Sequence, residues 1–260
     1  MAHGSERALL SVILPAYNEE DTLARAVGDI DRGLRARGTP FEIVVIENGS
    51  TDGTRRVLVE LGATVGPVRA IELPDADYGA ALRAGILSAR GEVWAIFNVD
   101  YYDLHFLDAA LARLPGGPGG HGAAAGAAPG ADLVLATKRG HGAHDGRGWF
   151  RRVATGTFTR LTHLLLGIRA ADTHGMKVGA AAALRPVVDA CTFTADLFDT
   201  ELVARAERAG MHVVEIPVTV TETRPARTSL ARRVPRTLVG LVRLRRTLDR
   251  ERSGDKVRLT

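Results

Sequence analysis

Two hydrophobic periods alternate along the first part of the chain. Leu9 to Pro15 is an unbroken apolar run of strand length. From Glu19 to Arg37, Leu23, Val27, Ile30 and Leu34 recur at helical spacing, which predicts an amphipathic helix. Phe41 to Glu47, FEIVVIE, predicts a second buried strand. Asn48-Gly49-Ser50 then forms a turn, and Thr51 or Asp52 can cap a helix running to about Leu61. Val68 to Leu73 is a third strand. Tyr78 to Ala89 is a third helix, with Leu82, Ile86 and Ala89 on one face. Glu92 to Phe97 is a fourth strand, and it ends in a polar run that holds Asp100 and Asp103. Strict alternation of strand and helix argues for a parallel sheet with right-handed crossovers.

The pattern then breaks. Leu114 to Gly130, LPGGPGGHGAAAGAAPG, is low in complexity and cannot build a core, so it predicts a surface loop. It separates two halves of one domain, about residues 8–113 and 131–230, and is not itself a domain boundary. Ala131 to Ala136 is a further strand. Gly148 to Leu166 has helical spacing, with Trp149, Val153, Leu161 and Leu165 among its apolar positions. Phe198 to Ala209 is helical, and Val213 to Val218 is a strand. Residues 231–260 form a basic tail. Its helix runs from about Pro235, in the first turn, to Arg250, with Leu238, Leu241, Val242 and Leu248 on one side.

Composition narrows the function classes. A chain of 260 residues is long enough for one large domain or two small ones. Its hydrophobic fraction of 45% and charged fraction of 25% are ordinary globular values. The single cysteine, Cys191, excludes an intramolecular disulfide and gives no sign of an oxidising compartment. No Cys/His cluster has zinc spacing, and His141 and His144 fall in a Gly-rich loop. No apolar stretch is long enough to span a bilayer, and the N-terminal run lacks a signal-peptide cleavage pattern. A cytoplasmic protein is expected, with peripheral attachment to the inner face of a membrane left open. The net charge of +4 is uneven: Arg and Lys crowd the chain after residue 223, and the rest is net acidic. Such asymmetry suggests an anionic partner for the tail. No nucleic-acid recognition motif accompanies it.

The strand ends carry the candidate chemistry. Open α/β sheets place ligands where hydrophobic strands deliver polar groups at their C-terminal ends. The Asp100 carboxylate suits a hard cation such as Mg²⁺ or Mn²⁺, and such a cation can bridge to a diphosphate. An ordinary Asp-rich turn is the alternative. Asp103 can add a further ligand or cap a following helix. SVILPAYNEE puts Tyr17, Asn18 and Glu19 at the end of the first strand, where a turn can cup a base or Asn18 can cap a helix. Asp52, after the second strand, can read ring N–H or amino groups, or can cap its own helix. The small residues of YGAALRAGI allow close approach of backbone to a ligand.

In this order, SVILPAYNEE, VVIENGSTDGT, DYGAALRAGILSARGE and the NVD run resemble the nucleotide-binding half of family-2 glycosyltransferases with a GT-A fold. The resemblance continues through DTHGMKVG, FDTELVARAERAG and VVEIPVTVTETR, and covers about Leu9 to Leu230. It is closest to the polyprenyl-phosphate, dolichyl-phosphate mannose synthase-like branch. The implied fold is a Rossmann-like three-layer α/β sandwich with a mostly parallel central sheet.

The resemblance also implies a site. Pro15, Ala16, Tyr17, Glu19, Asn48, Asp52, Asn98 and Val99 fall at nucleotide-binding positions. Asp100 matches the second Asp of the family's Asp-x-Asp motif and would hold Mg²⁺ or Mn²⁺. Asn98 stands where the first Asp is usual, and Asn48 also replaces a common Asp. In the second half, Lys138, Trp149, Arg152 and Thr155 match an acceptor pattern. Lys138 and Arg152 can hold an acceptor phosphate, and a solvated basic face is the other reading. Asp172 and Lys177 match a D-x-x-G-[FM]-[RK] stretch. Arg224 and Ser229 match a loop that closes over the diphosphate, although Leu230 stands where a Lys often follows. The implied reaction displaces a nucleotide diphosphate from a hexose, with a polyprenyl phosphate as acceptor. A hydroxyl acceptor would need a carboxylate base, from Asp172, Asp199 or Glu201. The Asn at 98 also leaves room for a catalytically weak nucleotide-sugar-binding partner protein.

Overall fold

A computed structural model describes residues 10–115, 130–138, 144–145, 159–220 and 230–258. The first half folds as β1 (Leu10–Ala16), α1 (Leu23–Ala36), β2 (Phe41–Asn48), α2 (Thr54–Thr64), β3 (Val68–Leu73), α3 (Tyr78–Ser88), β4 (Val93–Ile96) and α4 (Leu104–Leu111). The second half contributes β5 (Leu133–Thr137), β6 (His144–Asp145), helical residues 159–166 as α5, β7 (Lys177–Ala180), α6 (Ala181–Ala190), α7 (Phe198–Arg208), β8 (Val213–Pro217), β9 (Thr219–Val220) and α8 (Leu230–Arg258).

Seven strands form one sheet in the order β3-β2-β1-β4-β7-β5-β8. Every pairing is parallel except those of β7, which runs antiparallel to both β4 and β5. β1, β2, β4 and β5 are apolar on both faces because helices cover both sides, as parallel sheets require. One layer buries Leu23, Val27, Ile30 and Leu34 of α1 with Leu58 of α2 and Phe106 and Leu107 of α4. The other buries Leu82 and Ile86 of α3 with Leu184 of α6 and Phe198, Leu202 and Val203 of α7. The expected three-layer α/β sandwich is therefore present.

The tail differs from expectation in extent and in face. Helix α8 begins at Leu230, so Pro235 lies inside it and not in its first turn. Leu241, Leu244 and Leu248, spaced i, i+3, i+7, are buried against Leu166, Ile168 and Ala204. Each such leucine contributes about 1.5–3 kcal/mol. Leu238 and Val242, expected on one side with Leu241 and Leu248, are exposed, because they turn away from the buried stripe. Gly240 permits the approach, since a Cβ there would collide with Leu197. Elements β7 and α6 were not anticipated. His144 stands in the short strand β6, paired with Thr219 of β9, and not in a loop. The expected start of the Trp149 helix lies outside the described residues.

Candidate functional site

Strand order locates the crevice. The chain passes β1 to β2 to β3 outward, then returns to place β4 on the other side of β1. The strand order thus reverses between β1 and β4, and ligands of open α/β sheets bind outside the carboxyl ends at such a switch point. Tyr17, Asn18 and Glu19 leave β1 there, and Asn98, Val99 and Asp100 leave β4 beside them. The antiparallel β7 brings the second half to the same edge. Lys177, at its start, pairs with Ile96 near the end of β4 and with Leu135 of β5. The segment entering β7, which carries Asp172, and Lys138, which follows β5, therefore share the edge that holds Asp100.

The loops after β1 and β2 are laced together. Asn18 adopts a left-handed conformation, φ 55°, which Asn tolerates better than most residues. Its N–H donates to Ser50 Oγ at 3.1 Å, and its Oδ1 accepts from the Thr51 N–H at 2.8 Å. The Glu19 N–H donates to Thr54 Oγ1 at 2.7 Å. Gly53 N–H donates to Glu20 Oε2 at 2.8 Å, while Glu20 N–H donates to Asp52 Oδ2 at 3.3 Å. Asn18 is thus a stitch between loops and not a cap of α1. Asp52 also accepts from the Thr54 N–H at 3.0 Å, a local turn bond at the start of α2. Burial works to raise the Asp52 carboxyl, and these bonds outweigh it and hold it below its usual value. Pro15 and Ala16 are buried, so only their backbone can face a ligand, whereas Tyr17 is exposed.

Asn48 has a different place. It is buried, and its Oδ1 accepts from the Asp77 N–H at 2.9 Å. Asp77 caps α3 by accepting from Ala80 N–H at 2.9 Å, and also accepts from Ala195 N–H at 2.7 Å. Burial pushes this carboxyl up, and the two backbone donors more than offset it, so it sits below the usual carboxylate range. A Cβ on Gly79 would meet Ala195 N at 2.7 Å and Phe198 Cβ at 2.8 Å. The small residues expected to admit a ligand here admit the second half of the protein.

After β4, Asn98 and Tyr101 exchange backbone hydrogen bonds of 3.1 Å in each direction, closing a tight turn with Asp100 at its exposed tip. Val99 is buried beneath it. Asn98 Oδ1 accepts from the Tyr78 hydroxyl at 3.1 Å. Asp103 accepts from the His105 and Phe106 N–H groups and is the cap of α4. The Asp100 carboxylate makes no hydrogen bond or ion pair among the described residues. It is the group in this turn left open to a hard cation. No cluster of three or more His, Cys, Asp or Glu capable of holding a metal occurs among the described residues. A cation at Asp100 would therefore complete its shell with phosphate and water oxygens, as Mg²⁺ does when held by one or two carboxylates and a substrate. The donor set fits that mode of binding.

The second half is framed by buried polar contacts. The Ala171 and Asp172 N–H groups both donate to Glu215 Oε1, at 3.0 and 3.1 Å. The preceding N–H groups, of Arg169 and Ala170, donate to Glu207 at 2.7 and 2.9 Å. Asp172 is nearly buried, and its Oδ1 accepts from His174 N–H at 3.0 Å. Lys177 and Asp199 form a fully buried ion pair of 2.7 Å. Glu201 accepts from the Thr192 and Phe193 N–H groups and pairs with Arg205. Asp199 and Glu201 are thus occupied as framework. Of the three carboxylates considered for a base, Asp199 and Glu201 are held in ion pairs, and Asp172 makes none among the described residues. Burial pushes the Tyr101 and Tyr102 hydroxyls, and the Cys191 thiol, each up to about 12, so all three stay protonated near neutrality. Lys138 is half-buried. Arg152, Arg224 and Ser229 lie outside the described residues. Sequence reasoning passed over Tyr78, Asp77 and Glu215. Only Asp77, set before a helical run, carried a local signal.

Paired loops at a parallel switch point, with a carboxylate-tipped turn beside them, form the kind of crevice in which open α/β proteins bind ligands. Comparison with known proteins gives the class. The family described as Glycosyl transferase family 2 matches residues 11–111. An uncharacterized glycosyltransferase of Mycobacterium tuberculosis is 30% identical, over 80% of this chain and 84% of its own. Dolichyl-phosphate beta-glucosyltransferase of Drosophila melanogaster is 30% identical, over 82% of this chain and 67% of its own. Glycosyltransferase AglD of Haloferax volcanii is also 30% identical over 80% of this chain, which spans only 32% of that longer protein. The solved structure of glucosyl-3-phosphoglycerate synthase from Mycobacterium tuberculosis in complex with UDP shares the fold, with a TM-score of 0.64 at 20% identity, covering 92% of this chain and 80% of that one. The chain belongs to glycosyltransferase family 2, and its fold is the GT-A fold that the sequence resembles.

Proposed function

We propose that this glycosyltransferase moves a hexose from a nucleotide sugar, of the UDP-glucose or GDP-mannose type, to a polyprenyl phosphate at the inner face of a membrane. The observation that carries the reading is the open Asp100 carboxylate at the switch point, with the Asp172 and Lys138 segments on the same edge. Tyr17, Glu19 and Asp52 hold the base and ribose, and the backbone at Pro15, Ala16 and Val99 shapes the crevice. A bound Mg²⁺ or Mn²⁺ would neutralise charge on the diphosphate, and solved fold relatives hold Mn²⁺ with UDP-glucose or Mg²⁺ with UDP. Arg224 and Ser229 close on the diphosphate, and Lys138 and Arg152 hold the acceptor phosphate. An acceptor oxygen forms the new bond to the anomeric carbon as the bond to the diphosphate breaks. The diphosphate leaves with the electron pair. A phosphate acceptor is already anionic and needs little help from a base. Asp172 would receive the proton of a hydroxyl acceptor.

Two observations support these acceptors differently. The Drosophila relative is named for dolichyl phosphate, and the solved fold relative is named for phosphoglycerate. Competition assays with radiolabelled nucleotide sugar separate them. Polyprenyl phosphate should be glycosylated, and Lys138→Ala should raise its KM at least about tenfold with little change in donor KM, the loss of one charge-assisted contact. Turnover of phosphoglycerate alone would replace the lipid by a soluble acceptor. Equal effects on both KM values would remove Lys138 from the acceptor site.

A further inference from the structure

The faces of α8 differ in what they do with charge. Its inner stripe, Leu241, Leu244 and Leu248, belongs to the core. Two of its acids reach toward α7. Glu251 pairs with Arg205 at 2.7 Å, and Asp249 lies 3.4 Å from Arg208, both on α7. On the opposite side, Val239, Val242, Arg243, Arg246 and Arg250 recur at i, i+3, i+4, i+7 and i+11, which is one face of a helix. All five are exposed, with Val239 at 53% and Val242 at 39%, and Leu238 borders them at 36%. Arg243, Arg246 and Arg250 make no ion pair among the described residues.

We infer that this outer face of α8 is a docking surface for an anionic lipid bilayer. Three unpaired guanidinium groups supply charge complementarity to anionic headgroups. The aliphatic side chains set among them suit the headgroup–acyl boundary, where basic amphipathic helices lie parallel to the surface. A nucleic-acid backbone would use the arginines and leave Val239 and Val242 in water. No described helix is long and apolar enough to cross a membrane, so the contact is peripheral. The surface rests on α8 alone and stands whether or not the acceptor is a lipid.

The test uses the full chain. Removing the helix would uncover Leu166, Ile168 and Ala204 and confuse docking with unfolding. Sedimentation with phosphatidylcholine vesicles, with and without phosphatidylglycerol, reads binding directly. The protein should sediment with anionic vesicles only, and less as salt rises. Each arginine near the surface contributes about a fivefold factor, so R243E/R246E/R250E should weaken partitioning on the order of a hundredfold or more. V239S/V242S should weaken it with its salt dependence retained. Near-UV circular dichroism and melting temperature should be unchanged in both, because the five side chains are exposed. Absence of binding to anionic vesicles overturns the inference. So does binding undiminished in the triple variant, or tighter binding to a labelled oligonucleotide than to the vesicles.

Discussion

At the scale of single residues, Asn98 shows how one partner decides a role. Its carbonyl oxygen accepts from the Tyr78 hydroxyl, which leaves the amide N–H groups to face other partners. On the proposed function, Asn98 would donate from that orientation to ribose or phosphate oxygens, and cation binding would fall to Asp100. Tyr78 would then act as a positioning residue for the donor. Tyr78→Phe removes a hydrogen bond with a net contribution of about 1 kcal/mol, so the melting temperature should fall by a few degrees and nucleotide affinity by up to about fivefold. Isothermal titration with UDP and GDP measures it. Unaltered affinity for both would detach Tyr78 from the donor site. Legibility at this scale was uneven. Asp103 could be read as a cap because the residues after it form a helix. Asp52 kept two readings because capping and base contact ask for the same acceptor. The Tyr78–Asn98 contact spans twenty residues and left no mark on either local pattern.

At the scale of elements, α7 organises the second half. Asp199 holds Lys177 at the start of β7, Thr200 meets Thr173, Glu207 fixes the backbone at Arg169 and Ala170, and Arg205 and Arg208 reach α8. The segment carrying Asp172 is therefore built on this helix and on Glu215 of β8. Lys177→Met strands a buried carboxylate and should cost about 3–5 kcal/mol of stability by urea denaturation, most of it regained in the Lys177→Met, Asp199→Leu pair. A single variant as stable as the wild type would mean that Asp199 is solvated and free for chemistry. β7 escaped the sequence pattern for a related reason. Its four residues include a lysine and a glycine, and strand geometry comes from β4 and β5 on either side. In α6, Pro186 argues locally against a helix that tertiary packing nonetheless supports. The strands and helices of the first half were legible because each repeats one clear period over a full element length.

At the scale of the whole molecule, the two halves are joined near the site itself. Asn48 holds Asp77, and Asp77 holds both the start of α3 and Ala195 of the second half. The loop after β2 and the turn leading into α7 thus share one support, which would suit a reaction in which two substrates must meet in a fixed geometry. Motif order along the chain made the family readable, because many separately weak signals fell in one sequence. The face that α8 buries was not readable. Leu238, Leu241, Val242, Leu244 and Leu248 fit more than one narrow stripe, and only contact with α5 and α7 selects among them.

On the proposed function, Asp100 holds a cation that in turn holds a nucleotide-sugar diphosphate. Thermal unfolding with UDP-glucose or GDP-mannose, in Mn²⁺ and in chelator, tests it without an acceptor. A ligand at a hundred times its Kd stabilises the folded state by about 2.7 kcal/mol, a readily measured shift. One of the two nucleotide sugars should stabilise the wild type in Mn²⁺ and do so much less in chelator. Asp100→Ala should unfold at the wild-type temperature without ligand and lose the metal-dependent part of the shift. Equal stabilisation with metal and with chelator, or an Asp100→Ala variant that responds as the wild type does, would contradict the assignment.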